Sequence, residues 1–183
     1  MRFAPDSQES LEFVVALANT VPTASKAGVD ELSTPEKLTA LLDRVGYSGR
    51  FDRNETELRA VLAARDQVRA IWTLPRDAAV TTINRMLREA SALPQLVRHD
   101  DLDWHLHATS PDAPLERRIR VEAALAFVDV LRADEWWRLR ECAAPDCGGL
   151  LADLSRNGSK RFCSVRCGNR VNMIAFRSRA ADD

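Results

Sequence analysis

RLRECAAPDCGGLLADLSRNGSKRFCSVRCGNR, residues 138–170, contains every cysteine of the 183-residue chain: Cys142, Cys147, Cys163 and Cys167. The spacing is two close pairs separated by fifteen residues. Two thiolate pairs at such spacing supply the four soft ligands of a tetrahedral zinc site. Two disulfides are the competing reading, and a redox or iron-sulfur role a third. The first 19 residues have no basic stretch leading into an apolar core and a small-residue cleavage site. The chain is therefore expected to be cytoplasmic and reduced, which favours metal over disulfides. The short Cys-x2-Cys spacings of many iron-sulfur proteins are missing. With four protein ligands no coordination position is left for water, so the zinc is expected to organise a fold and not to catalyse.

Local signals inside this stretch give it a shape. Residues 149–154 read as a strand, Ser155 to Ser159 as a turn around Asn157-Gly158, and residues 160–163 as the return strand. Ser164 is an N-cap for a proline-free helix over residues 165–179. Cys163 and Cys167 then lie one helical turn apart, and Cys142 and Cys147 close the site from a knuckle. Knuckle, hairpin and helix in that order make a treble-clef-like arrangement.

Charge separates the two parts of the chain. Residues 1–137 carry 17 Lys/Arg against 22 Asp/Glu, a balance of −5, whereas residues 138–179 carry 9 against 3, a balance of +6. The basic charge travels with the cysteines, and a polyanionic partner is one consequence. Neutralisation of four thiolates around one Zn²⁺ accounts for only part of it. At about 100° per residue, Arg166, Arg170 and Arg177 fall within about 40° of one another on the last helix. Arg156, Lys160 and Arg161 at the turn extend this stripe along a phosphate backbone, while Asn169 and Asn172 are placed to read base edges. Substituting Arg166 and Arg170 is expected to remove DNA binding without disturbing zinc. Met173 sits amid the stripe, and Arg170 has the alternative task of balancing the thiolates, so a protein-docking finger stays open.

Upstream, apolar periodicity predicts a mainly α fold. Helices are expected over residues 7–20, closed by Pro22; from Pro35 behind the cap Thr34 to Gly46; from the cap Asn54 to Leu74; from the cap Asp77 through Leu87; and from about Pro114 to Trp136-Trp137. Each buries one stripe, as in a helical bundle. Between the last two, alternation around Asp100-Asp101 predicts a small β-hairpin with Leu102, Trp104 and Leu106 facing inward. His105 and His107 then share the outer face, either as plain polar surface or as part of a ligand-lining wall; with His99 they are the chain's three histidines. No Gly/Pro/Ser linker precedes residue 138, so the two parts, residues 1–137 and 138–183, are expected to pack together.

Cys167-Gly168-Asn169-Arg170, with the cysteine pattern around it, resembles the CGNR zinc finger over residues 138–170. Three residues separate its last two cysteines, where many such fingers have four; three still suits a helical turn. The opening run Leu11-Glu12-Phe13…Ala18-Asn19-Thr20, followed by Ser33-Thr34-Pro35-Glu36, resembles the helical ABATE domain that precedes this finger. The resemblance implies a bacterial transcription regulator whose finger binds double-stranded DNA, with a helical domain that takes a small-molecule effector or forms a homodimer. A zinc-stabilised protein-interaction adaptor is the alternative. No Ser/His/Asp spacing, phosphate-binding glycine loop or His-Glu-x-x-His motif is present, so no enzymatic activity is expected. No apolar run approaches the length of a membrane span.

Overall fold

The computed structural model describes residues 3–98 and 103–182. Its helices are α1 (Pro5–Ala18), α2 (Pro35–Val45), α3 (Glu55–Trp72), α4 (Arg76–Glu89), α5 (Leu115–Arg132) and α6 (Val165–Asp182). Two short antiparallel sheets accompany them, β1 (Gln95–Val97) with β2 (His105–His107), and β3 (Leu139–Glu141) with β4 (Leu150–Ala152). The fold is mainly α, as expected. Among the described residues, no helix is long and apolar enough to cross a membrane.

The expected caps are largely in place. Thr34 accepts the Lys37 N–H at the start of α2, Pro35 takes the first position, and Gly46 ends the helix at φ 67°. Asn54 Oδ1 accepts the Glu57 N–H and starts α3. At α4 the expectation fails. Pro75 is the N-cap and Asp77 lies inside the first turn, because proline's fixed φ and missing N–H suit a helix start without a side-chain cap.

α5 lies against α1, α3 and α4. Phe127 at its centre is fully buried, with Trp72 edge-on at 5.3 Å between ring centroids and Trp136 at 5.9 Å. A second apolar cluster joins Phe13 and Leu17 of α1 to Leu38, Leu41 and Leu42 of α2, Leu58 of α3 and Ile119 of α5. α5 ends at Arg132, short of Trp136-Trp137, because Asp134 turns at φ 57° into a 3-10 turn over Trp136–Arg138.

The hairpin of β1 and β2 has the opposite phase to the expected one. Trp104 is 64% exposed and Leu106 42%, whereas His105 is 7% exposed. The inward imidazoles find polar partners on the protein side, and Leu96 pairs with Leu106 on the outer face. Leu102, His99 and the Asp100-Asp101 turn lie outside the described residues.

The second sheet also differs from expectation. β4 pairs with β3, on the far side of the first cysteine knuckle, and residues 160–163 form no return strand. Side chains take over the backbone partners there: the Lys160 N–H donates to Asp153 Oδ2, and Arg140 donates to the Gly158 and Lys160 carbonyls. Along the module the order is strand, knuckle, strand, turn, helix.

Leu139, Leu150 and Ala152 belong to the main core cluster, so this sheet is part of the helical body's packing. The Asn19 side chain brackets Leu150 like a neighbouring strand, donating to its carbonyl at 2.8 Å and accepting its N–H at 2.7 Å. Arg69 donates to the carbonyls of Ala18 and Gly148, Trp72 to that of Leu151, and the Gly148 N–H to that of Thr23. The expected absence of a tether is met by this continuous contact.

Candidate metal centre, basic face and cavity

The knuckle after β3 and the start of α6 bring the four cysteines together, with all four sulfurs within 4.8 Å of one another. Cys147 Sγ lies 3.6 Å from Cys163 Sγ and 3.7 Å from Cys167 Sγ, and Cys163 to Cys167 is 3.8 Å. Zn–S bonds of about 2.3 Å in a tetrahedron put sulfurs about 3.8 Å apart, so the donor set fits one zinc ion. None of the cysteines forms a disulfide.

Backbone N–H groups point at the sulfurs. Gly149 donates to Cys147 Sγ and Cys163 N–H to Cys142 Sγ, each at 3.4 Å. Ser164 caps α6 by accepting the Cys167 N–H at 3.3 Å. Burial pushes the Cys147 and Cys163 thiols up. Burial also opposes ionisation of Cys167, but hydrogen bonds with Ser164 and the other thiols outweigh it and bring that thiol down to about 7. A divalent cation supplies the charge that four crowded thiolates need. Gly149 is required by space: a Cβ there would lie 2.6 Å from Cys163 Sγ.

The basic residues divide into two groups. Arg170 forms an ion pair with Asp146 at 2.7 Å and reaches Cys167 Sγ at 3.8 Å, so it serves the cysteine site, as the sequence allowed. Arg166 reaches the Ala24 and Ser25 carbonyls, each at 3.4 Å, and ties α6 to the loop after α1. Arg156, Lys160, Arg161, Asn169, Asn172 and Arg177 are exposed. The turn carrying Arg156 and Lys160 is held by Asp153, fully buried, which accepts the Ser155 hydroxyl and the Ser155 and Lys160 N–H groups. Its Gly158, at φ 59°, lies against Trp137, on which Arg138 and Arg140 stack at 4.5 and 5.2 Å.

A match to the family described as "Putative stress-induced transcription regulator", the ABATE model, covers residues 11–134. The chain belongs to the ABATE family. The CGNR zinc finger model matches residues 138–180, directly after the ABATE region, and contains all four cysteines. No curated protein matches the chain. Together, the family and the sulfur geometry make this a member of a transcription-regulator family with a finger that binds one zinc ion.

The ABATE region also carries a half-open cavity of about 1000 Å³, which periodicity did not reveal. Its walls come from α1, the loop after α2, β1, β2 and α5. Phe13, Val45 and Leu93 give it apolar surface; Tyr47, His105, His107 and Glu122 give it a polar side. The Tyr47 hydroxyl donates to Glu122 Oε2 at 2.6 Å. Burial pushes the Glu122 carboxyl up, against the Tyr47 hydrogen bond and the nearby Arg118 charge. Burial likewise raises the Tyr47 hydroxyl, and the Glu122 charge adds to this. Arg117 and Arg118 line the cavity but donate to backbone carbonyls, Arg117 to Ala90 and Arg118 to Ser48, Arg50 and Ala113. Of this set, the sequence pointed only to the histidines. Tyr47 and Glu122 stand 75 positions apart, and only the packed fold pairs them.

Proposed function

We propose that the chain is a DNA-binding transcription regulator whose zinc finger presents an exposed polar and basic face to the duplex, and whose ABATE region takes a small-molecule effector in its cavity. The observation that carries this reading is the exposure of Arg156, Lys160, Arg161, Asn169, Asn172 and Arg177 around the turn held by Asp153 and the helix that starts at the cysteine site. Positive side chains on such a face supply affinity through phosphate contacts, and asparagines can pair with base edges. The local excess of charge, +6 over residues 138–179, supports a polyanionic partner. The reading requires no enzymatic step.

Arg166 and Arg170 are poor probes of it, since each has an intramolecular task. The informative variant joins Arg156→Ala, Lys160→Ala, Arg161→Ala and Arg177→Ala. The expected outcome is duplex binding whose affinity falls steeply with salt in the natural protein, and a shallower salt slope with much weaker binding in the variant at unchanged zinc content. Absence of binding to any duplex at low salt overturns the reading.

A second reading is favoured by a specific feature of α6. Val165, Met173, Ile174 and Phe176 are 80, 50, 60 and 60% exposed, an unusual amount of apolar surface for one helix. An adaptor finger would use them to dock a protein, and the charge substitutions would then leave partner capture intact. For a homodimer, the outer hairpin residues Leu96 and Trp104 offer the corresponding apolar surface.

A further inference from the structure

The four sulfurs of the cysteine site are not equivalent. Cys142 and Cys167 are buried, at 8% and 0% exposure, whereas Cys147 and Cys163 are only partly buried. Hydrogen bonds divide them further. The Cys163 N–H donates to Cys142 Sγ and the Gly149 N–H to Cys147 Sγ, each at 3.4 Å, and Arg170 reaches Cys167 Sγ at 3.8 Å. No N–H among the described residues donates to Cys163 Sγ, and the Ser164 hydroxyl stands 4.0 Å from it. A hydrogen bond to a thiolate stabilises its charge, and nucleophilicity falls with that stabilisation. Cys163 therefore combines access from solvent with the least stabilised sulfur of the four.

Cys147 is the neighbour placed to respond. Its Sγ lies 3.6 Å from Cys163 Sγ, against 3.8 Å for Cys167, and it is likewise only partly buried. Cys147 and Cys163 stand on separate stretches of backbone, the knuckle and the residue before the Ser164 cap, while Cys167 is held within the first turn of α6. A Cβ at Gly149 would lie 2.6 Å from Cys163 Sγ and 3.1 Å from Cys147 Sγ, so the backbone beside this pair is kept bare.

We propose that Cys163 is an oxidation site for peroxides, with Cys147 as its resolving partner, and that oxidation joins the two as a disulfide. Zinc, when bound, keeps the cysteines as thiolates, the nucleophilic form. The Cys163 thiolate attacks one peroxide oxygen, the O–O bond breaks, and the other oxygen leaves as hydroxide and takes a proton to become water. Cys163 is then a sulfenic acid. The Cys147 thiolate attacks the Cys163 sulfur, the S–S bond forms, and the sulfenic oxygen leaves as hydroxide and takes a second proton. The two sulfurs lose two electrons in all, and the peroxide is reduced to two waters. Cys142 and Cys167 then remain as the only thiolates, too few for a closed structural site. The first turn of α6 loses its tie to the knuckle, and with it the fixed relation to the turn bearing Arg156 and Lys160. Loss of duplex binding on oxidation follows from this and rests on the DNA reading above; the oxidation itself does not.

The test uses the full zinc-loaded chain, treated with hydrogen peroxide beside a chromogenic zinc indicator and without DNA. The expected result is release of the bound zinc, with peptide mapping by mass spectrometry finding a Cys147–Cys163 disulfide. Dimedone, which captures sulfenic acids, is expected to label Cys163 about tenfold more than any other cysteine when added with the peroxide, because access and nucleophilicity both favour it. Reduction with dithiothreitol in the presence of Zn²⁺ should restore the metal content. All of these measurements use the unaltered protein, so no folding defect of a variant intervenes. Zinc retained while added N-acetylcysteine is fully oxidised, first label on another cysteine, or a disulfide joining any other pair would each overturn the proposal. Duplex binding is measured separately. Its failure leaves the oxidation site standing, and the reverse holds too.

Discussion

At the scale of single residues, the zinc site depends on Gly149 almost as much as on its ligands. Its N–H donates to Cys147 Sγ, and there is no room for a Cβ beside Cys163 Sγ. Gly149→Ala is expected to lower zinc retention against a chelator by at least tenfold, the scale on which supporting groups tune metal sites; equal retention would show that the knuckle yields freely. Asn19 has a comparable place in the docking of the finger. Asn19→Ala leaves the Leu150 N–H and carbonyl without their side-chain partners, and a loss of about 1–3 kcal/mol in denaturant unfolding is expected. The cysteines were legible because their chemistry is carried by spacing alone. Asn19 was visible only as part of a family-like run at the end of α1, since nothing local says which strand its amide will meet.

At the scale of elements, caps were read correctly at Thr34, Asn54, Gly46 and Ser164, where the deciding chemistry is local, and misread at Asp77, where Pro75 starts the helix. Strand pairing was not local. Asn157-Gly158 does mark a turn, but Asp153 and Arg140 satisfy the backbone that follows it, so the partner of β4 is β3. The alternation of residues 102–108 was seen, yet its phase was reversed, because hydrophobicity alone could not reveal that two imidazoles have buried polar partners. The turn also makes a pH prediction. Burial opposes the Asp153 charge, but the Ser155 hydroxyl and the Ser155 and Lys160 N–H groups outweigh it, and its pKa is lowered. Asp30 is lowered as well, chiefly by its bond to Arg65. Carboxyls depressed by folding contribute stability that is fully present above the unfolded value of about 4 and is lost as pH falls through the folded one. Stability should therefore hold from neutral pH to about pH 5 and decline below about pH 4, and Asp153→Asn should flatten that decline in acid titrations followed by circular dichroism.

On the scale of the whole molecule, metal and helical body are expected to unfold together. Leu139, Leu150 and Ala152 sit in the same cluster as Phe127, Trp72 and Ile83. Removing zinc with a chelator should lower the melting temperature of the entire chain in one transition; two separate transitions, with the helices unaffected, would show that the finger melts alone. One further consequence lies in α1. Its Asp6, Glu9 and Phe13 line the cavity, and the residue just beyond its last turn, Asn19, grips β4 beside the knuckle. Fourteen residues of helix make a rod about 20 Å long. One rigid element therefore joins the wall of the cavity to the root of the finger, with the two Asn19 bonds at the joint.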